Sequence, residues 1–114
     1  MINQIDEKMK KAIRQVEAIL VSKDYSDAMA NSRLTTEEIE KVVSEYCGKI
    51  DVAPDSYFQN VKAIPIAGTD PQRWAVDYDL WIDGKSSDLT LSLELTTTDS
   101  AGNYTASIED LHVQ

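Results

Sequence analysis

Asp77 and Asp79 stand two residues apart in a run of alternating polarity, and Asp88 follows after a short turn. On a strand that spacing puts Asp77 and Asp79 on one face, where three neighbouring carboxylates could hold a cation or pass a proton. The chain offers little else for chemistry. Cys47 is the only cysteine and His112 the only histidine. An intramolecular disulfide and a thiolate zinc site are therefore excluded, and a metal site would rest mostly on carboxylates. There is no Asp-x-Asp-x-Asp-Gly calcium loop, and Gly48, Gly68, Gly84 and Gly102 are too scattered for a phosphate-cradling loop. His112 lies between Leu111 and Val113, a setting in which a histidine is more often structural than a base. Polar strand faces carry acidic pairs routinely, so the expectation is no catalytic residue, no metal and no cofactor.

Charge says more than these residues do. The net charge is -9 over 114 residues. Residues 1–50 balance nine anions against eight cations, whereas the remainder sets Lys62, Arg73 and Lys85 against eleven carboxylates. Such a surface repels phosphate backbones and steers cationic proteins toward itself, so nucleic acid is excluded as a direct partner of this half. Charged residues interrupt every apolar run of the N-terminal segment, which leaves no signal-like or membrane-spanning stretch and gives a cytoplasmic expectation.

The elements that would position these residues follow from periodicity. Ile5, Met9, Ala12, Ile13, Val16, Ile19 and Leu20 form one helical stripe, with Asn3 as cap, Asp6 and Glu7 in the first turn, and Lys8, Lys11 and Arg14 on the other side. A second helix has Leu34 before its cap, Thr35 as cap, Glu38 as capping-box partner, Ile39 placed to pack on Leu34, and Gly48 at its end. Its stripe of Ile39, Val42, Val43, Tyr46 and Cys47 makes Cys47 a core residue. Residues 22–33 read equally as loop or as a short helical turn.

From Ala53 the period becomes 2. Residues 57–66 form a first strand in which Pro65 demands an edge position. Trp74, Val76, Tyr78, Leu80 and Ile82 alternate with polar positions, and after a turn around Asp83-Gly84-Lys85 so do Leu89, Leu91, Leu93 and Leu95. The last strand, Tyr104 to Val113, changes phase near Glu109-Asp110, which predicts a bulge. Helices over 1–50 followed by a sheet over 51–114 make one α+β domain: N-terminal helices on one face of a four-stranded, curved antiparallel meander, laid out like cystatin-like or nuclear-transport-factor-like domains. This phase predicts that Leu93→Asp abolishes cooperative unfolding and that Thr90→Asp barely changes it.

The sheet's other face then displays Asp77, Asp79, Trp81, Asp88, Glu94 and Glu109, an aromatic anchor among carboxylates of the kind that binds proteins. Trp81 on such a face should be covered, by the chain itself or by a partner. Two other readings remain open: a small-ligand or enzymatic pocket near Tyr78, Tyr104 and His112, and a homodimeric adaptor, against which the excess of like charge argues.

Asp79-Leu80-Trp81, five residues, then Ser87-Asp88-Leu89-Thr90-Leu91 resembles the signature of a small bacterial family known as a domain of unknown function. Arg33-Leu34-Thr35 leading into a Glu-rich helix, Trp74-x-Val76 and a terminal acidic-Leu-His-Val extend the resemblance from Arg33 onward. The turn Ile82-Asp83-Gly84-Lys85 is less glutamate-rich than is usual there. The resemblance implies a compact α+β domain and brings no catalytic residues with it. In general style the chain also resembles immunity proteins of contact-dependent and other polymorphic toxin systems. The combined expectation is an acidic binding protein, monomeric or weakly dimeric, that neutralises a cationic toxin, for example a nuclease, by covering its basic groove. Asp77, Asp79, Trp81, Asp88, Glu94 and Glu109 would make the contact.

Overall fold

The computed structural model describes residues 3–22, 32–33, 35–46, 48–68, 72–97 and 103–113. In chain order these form β1 (Asn3–Gln4), α1 (Glu7–Ser22), α2 (Thr36–Glu45), β2 (Ile50–Asp51), a 3-10 helix (Asp55–Asn60), β3 (Lys62–Ile66), β4 (Arg73–Ile82), β5 (Lys85–Thr97) and β6 (Tyr104–Val113). The fold is α+β, with an open antiparallel sheet ordered β1-β3-β4-β5-β6 and β2 paired to β4 beyond the end of β3. The expected meander is present as β3 to β6, and the count of four is corrected by the two-residue strands β1 and β2, too short to show in a periodicity. No described helix is long and apolar enough to cross a membrane.

Two helix starts came out differently. Thr35 caps α2, its hydroxyl accepting from the Glu38 amide at 3.1 Å while the Glu38 carboxylate accepts from the Thr35 amide at 3.2 Å. Asn3 does not cap α1, because its backbone is extended and paired with Ala63. Asp6 does so instead, accepting from the Met9 amide at 2.8 Å. α2 ends at Glu45, and Gly48 follows with φ +115, where a Cβ would lie 2.3 Å from Ile82 Cγ2. That approach ties the end of α2 to the β4–β5 hairpin, whose two turn residues, Asp83 and Gly84, both have positive φ. Leu34, Cys47 and nearly all of 22–33 lie outside the described residues.

The first strand also starts later than alternation implies. Residues 55–60 wind into the 3-10 helix and only 63–66 pair with β4, with Pro65 beyond the two residues that β1 reaches. The phase of the sheet is as read: Val76, Tyr78, Leu80, Ile82, Leu89, Leu91, Leu93 and Leu95 are buried in one core with Met9, Ile13, Val16, Leu20 and Ile39. The bulge on β6 is present too. Ser92 faces Asp110 while Leu93 faces Ile108, so Glu109 is the extra residue and Leu111 rejoins the core face. Thr90 departs from expectation. It occupies the face away from the helices yet has 0% exposure, enclosed between Asp79 and His112 on the neighbouring strands.

One member of that core is charged. Glu17 lies on the buried stripe of α1 with 1% exposure. It accepts from the Tyr78 hydroxyl at 2.5 Å, the Ala53 amide at 3.1 Å and Arg14, which also reaches Asp55 at 2.8 Å. Burial, and then the bond to Glu17, push the Tyr78 hydroxyl well above its ordinary pKa of 10.0.

Leu93→Asp is expected to abolish the cooperative thermal transition followed by circular dichroism. Because Thr90 is enclosed, the contrasting probe is Thr105→Asp on half-buried β6, which should stay within about 0.5 kcal/mol of wild type.

Glu17→Ala should cost about 3–5 kcal/mol in urea unfolding, since it leaves Arg14, Tyr78 and the Ala53 amide without their acceptor. The raised Tyr78 pKa means that its contribution is complete below pH 10.0 and declines above it, as the unfolded chain loses a proton that the folded chain keeps. Tyr78→Phe should therefore make the fall of stability above pH 10.0 shallower than in wild type.

Candidate functional site

Directly opposed residues of antiparallel strands share a face, so register decides what the outer side of the sheet presents. Four rows cross β4, β5 and β6 there: Arg73, Thr96 and Thr105; Ala75, Glu94 and Ser107; Asp77, Ser92 and Asp110; Asp79, Thr90 and His112. Trp81 follows on β4 and Glu109 bulges beside Ser107. The register thus gathers Asp77, Asp79, Trp81, Glu94 and Glu109 on one face, and adds Asp110. Asp88 is drawn elsewhere. It lies where the β4–β5 pairing shifts between Asp79 and Trp81, and its carboxylate accepts from the Tyr46 hydroxyl at the end of α2. That bond, ahead of desolvation, raises the Tyr46 pKa.

The carboxylates differ in what answers them. Glu94 pairs with Arg73 at 2.9 Å and Glu109 with Arg33 at 2.9 Å. Asp77 accepts from the Ser92 hydroxyl at 2.9 Å and Asp79 from the Thr90 hydroxyl at 2.7 Å, neither of which neutralises charge. Asp110 Oδ2 stands 3.0 Å from His112 Nδ1, in ion-pair range but without the alignment of a hydrogen bond. Alternation shows which residues share a strand face. It places Arg73 on the face of Asp77 and Asp79, but the pairing of Arg73 with Glu94 depends on register and that of Arg33 with Glu109 on a distant segment.

Trp81 is half-buried. Its ring meets that of Tyr57 edge-on at a centroid distance of 6.0 Å, and Tyr57 in turn meets Tyr78 at 5.3 Å. The chain therefore supplies part of the cover expected for Trp81. The indole N–H is buried and has no acceptor among the described residues. The Tyr57 hydroxyl accepts from the Asp79 amide at 3.1 Å, fixing this aromatic group to the edge of β4.

The competing chemistry gains little from the geometry. Among the described residues no three His, Cys, Asp or Glu side chains converge as metal ligands, Asp77, Asp79 and Asp88 included. The structure separates Tyr78, Tyr104 and His112. Tyr78 is in the core, Tyr104 lines a small cleft with Lys8, Lys11 and Gln15, and His112 lines a separate one beside α2.

The segment that carries these features, from α1 to the end of β6, coincides with a family match over residues 9–114. The chain belongs to the domain of unknown function family DUF7668. No curated protein and no solved structure matches it. Membership in DUF7668 assigns no reaction, and the site is read from its own geometry.

The acidic residues divide into structural and available ones. Asp79→Ala, which strips the enclosed Thr90 hydroxyl of its acceptor, should cost about 1–3 kcal/mol in urea unfolding. Exposed Asp77→Ala should cost no more than about 0.5 kcal/mol.

Proposed function

We propose that this chain is a protein-binding module whose outer sheet face covers the basic surface of a cationic partner, as an immunity protein covers the active-site groove of a toxin. A nuclease toxin suits the reading best, because a groove that holds phosphates is necessarily basic and an ordered array of carboxylates competes for it. The supporting observation is the adjacent placement of Asp77, Asp79 and Asp110 on one open face, with hydroxyls rather than lysine or arginine beside the first two. Glu94 and Glu109 would set register from within their arginine pairs, Asp88 would contribute from the rim, and Trp81 would supply the apolar centre. The antiparallel sheet over an N-terminal helix is compared in layout with cystatin-like and nuclear-transport-factor-like domains, and the reading places the protein in the cytoplasm as a monomer or weak dimer. No cofactor enters it.

A homodimer through this face is disfavoured by the charge it would bring together. A small-molecule pocket is disfavoured by the separation of Tyr78, Tyr104 and His112.

The test is affinity capture of the tagged protein from its own cells through a salt series, with mass spectrometry of what is retained, followed by association kinetics on the retained polypeptide. A basic partner released by rising salt is expected. Asp77→Lys with Asp110→Lys should slow its association by about tenfold or more at low salt and flatten the salt dependence. Unchanged kinetics in that double variant, or a partner that is not basic, would reject the acidic face as the contact.

A further inference from the structure

Beside the outer face, the ends of α2 and β6 enclose a cleft of about 370 Å³ lined by Val42, Glu45, Tyr46, Leu111, His112 and Val113. We propose that this cleft receives an arginine or lysine side chain of a protein partner. The inference rests on the binding reading above and specifies one contact within it.

The lining divides as a long basic side chain divides. Val42, Leu111 and Val113 offer an apolar surface for the aliphatic stem, and Val113 is a large apolar residue left 54% exposed among the described residues. Glu45 and Tyr46 supply a carboxylate and an aromatic ring for the cationic head. Glu45 is exposed and has no ion-pair partner among the described residues, so its carboxylate is open to a cation.

The other two polar residues are already engaged from beyond the cleft. The Tyr46 hydroxyl donates to Asp88, and His112 Nδ1 stands 3.0 Å from Asp110. Each therefore has a carboxylate directly adjoining it, and the lining contains no lysine or arginine. Anions are repelled there, and a wholly apolar occupant would strip water from Glu45 without replacing it. A guanidinium or ammonium on an aliphatic stem satisfies both halves of the lining. His112 also belongs to the outer face, opposite Thr90, so a partner seated on that face reaches the cleft without leaving the surface.

The experiment is an amide NMR titration of the full chain with three blocked tripeptides that differ only at the centre: Gly-Arg-Gly, Gly-citrulline-Gly and Gly-norleucine-Gly. The arginine peptide should give saturable shifts centred on residues 42–46 and 111–113. Citrulline, the neutral isostere, and norleucine should bind at least about tenfold more weakly. Glu45→Gln should weaken the arginine peptide several-fold and leave the thermal midpoint unchanged. Equal binding of citrulline or norleucine, shifts centred on Asp77 and Asp79 instead, or no effect of Glu45→Gln would overturn the assignment. Failure here alongside salt-sensitive capture of a basic protein would remove the cleft but keep the acidic face. Selective arginine binding without any basic partner in capture would keep the cleft's cation preference and remove the wider reading.

Discussion

The buried carboxylate of Glu17 sets the terms for the rest of the molecule. A charge on the core side of a helix is tolerable only when its oxygens are filled, and here the partners come from three separate parts of the chain: Arg14 on the same helix, the Ala53 amide in the connector and the Tyr78 hydroxyl on the central strand. An apolar residue at 17 would pack against the sheet in several registers. A glutamate accepts only the one that brings Tyr78 to it. Arg14 then reaches Asp55 and lies 4.6 Å from the centre of the Phe58 ring, so the 3-10 helix is held by the same group of residues. From there Tyr57 extends the arrangement to the edge of β4 and to Trp81.

Through that chain of contacts the inner and outer faces of the sheet are connected. The outer face consists of carboxylates in three different states: paired with arginine, accepting from hydroxyls, or facing a histidine. Its net charge is therefore smaller than its composition implies, and the carboxylates without an arginine partner are concentrated on Asp77, Asp79 and Asp110. The position of that concentration is fixed by the β4–β5 register, which the Tyr78–Glu17 bond anchors from behind.

Much of this was legible in the sequence, and the missing parts share one cause. The alternation of Val76 to Ile82 and of Leu89 to Leu95 gave the buried face, the change of phase after Ile108 gave the bulge, and Thr35 with Glu38 gave the start of α2, all by local rules. Asp6 rather than Asn3 starts α1 because Asn3 belongs to β1, two residues whose strand character comes wholly from β3 and so leaves no periodic signal. Glu17 sits between Val16 and Leu20 on the buried stripe of α1. A charged residue in that position was itself a signal, but the partners that make it stable are 36 and 61 residues away. Thr90 was placed on the correct face, yet its enclosure depends on Asp79 and His112 from two other strands.

β4 has one stretch, Asp77 to Leu80, where neither β2 nor β3 lies alongside. The Asp79 amide in that gap is bonded to a phenol rather than to a carbonyl of a neighbouring strand. Its protection from hydrogen exchange therefore reports the docking of residues 55–60, not the opening of the sheet. A single backbone position in the middle of the acidic strand thus gives a local readout of how firmly the aromatic support beneath Trp81 is seated.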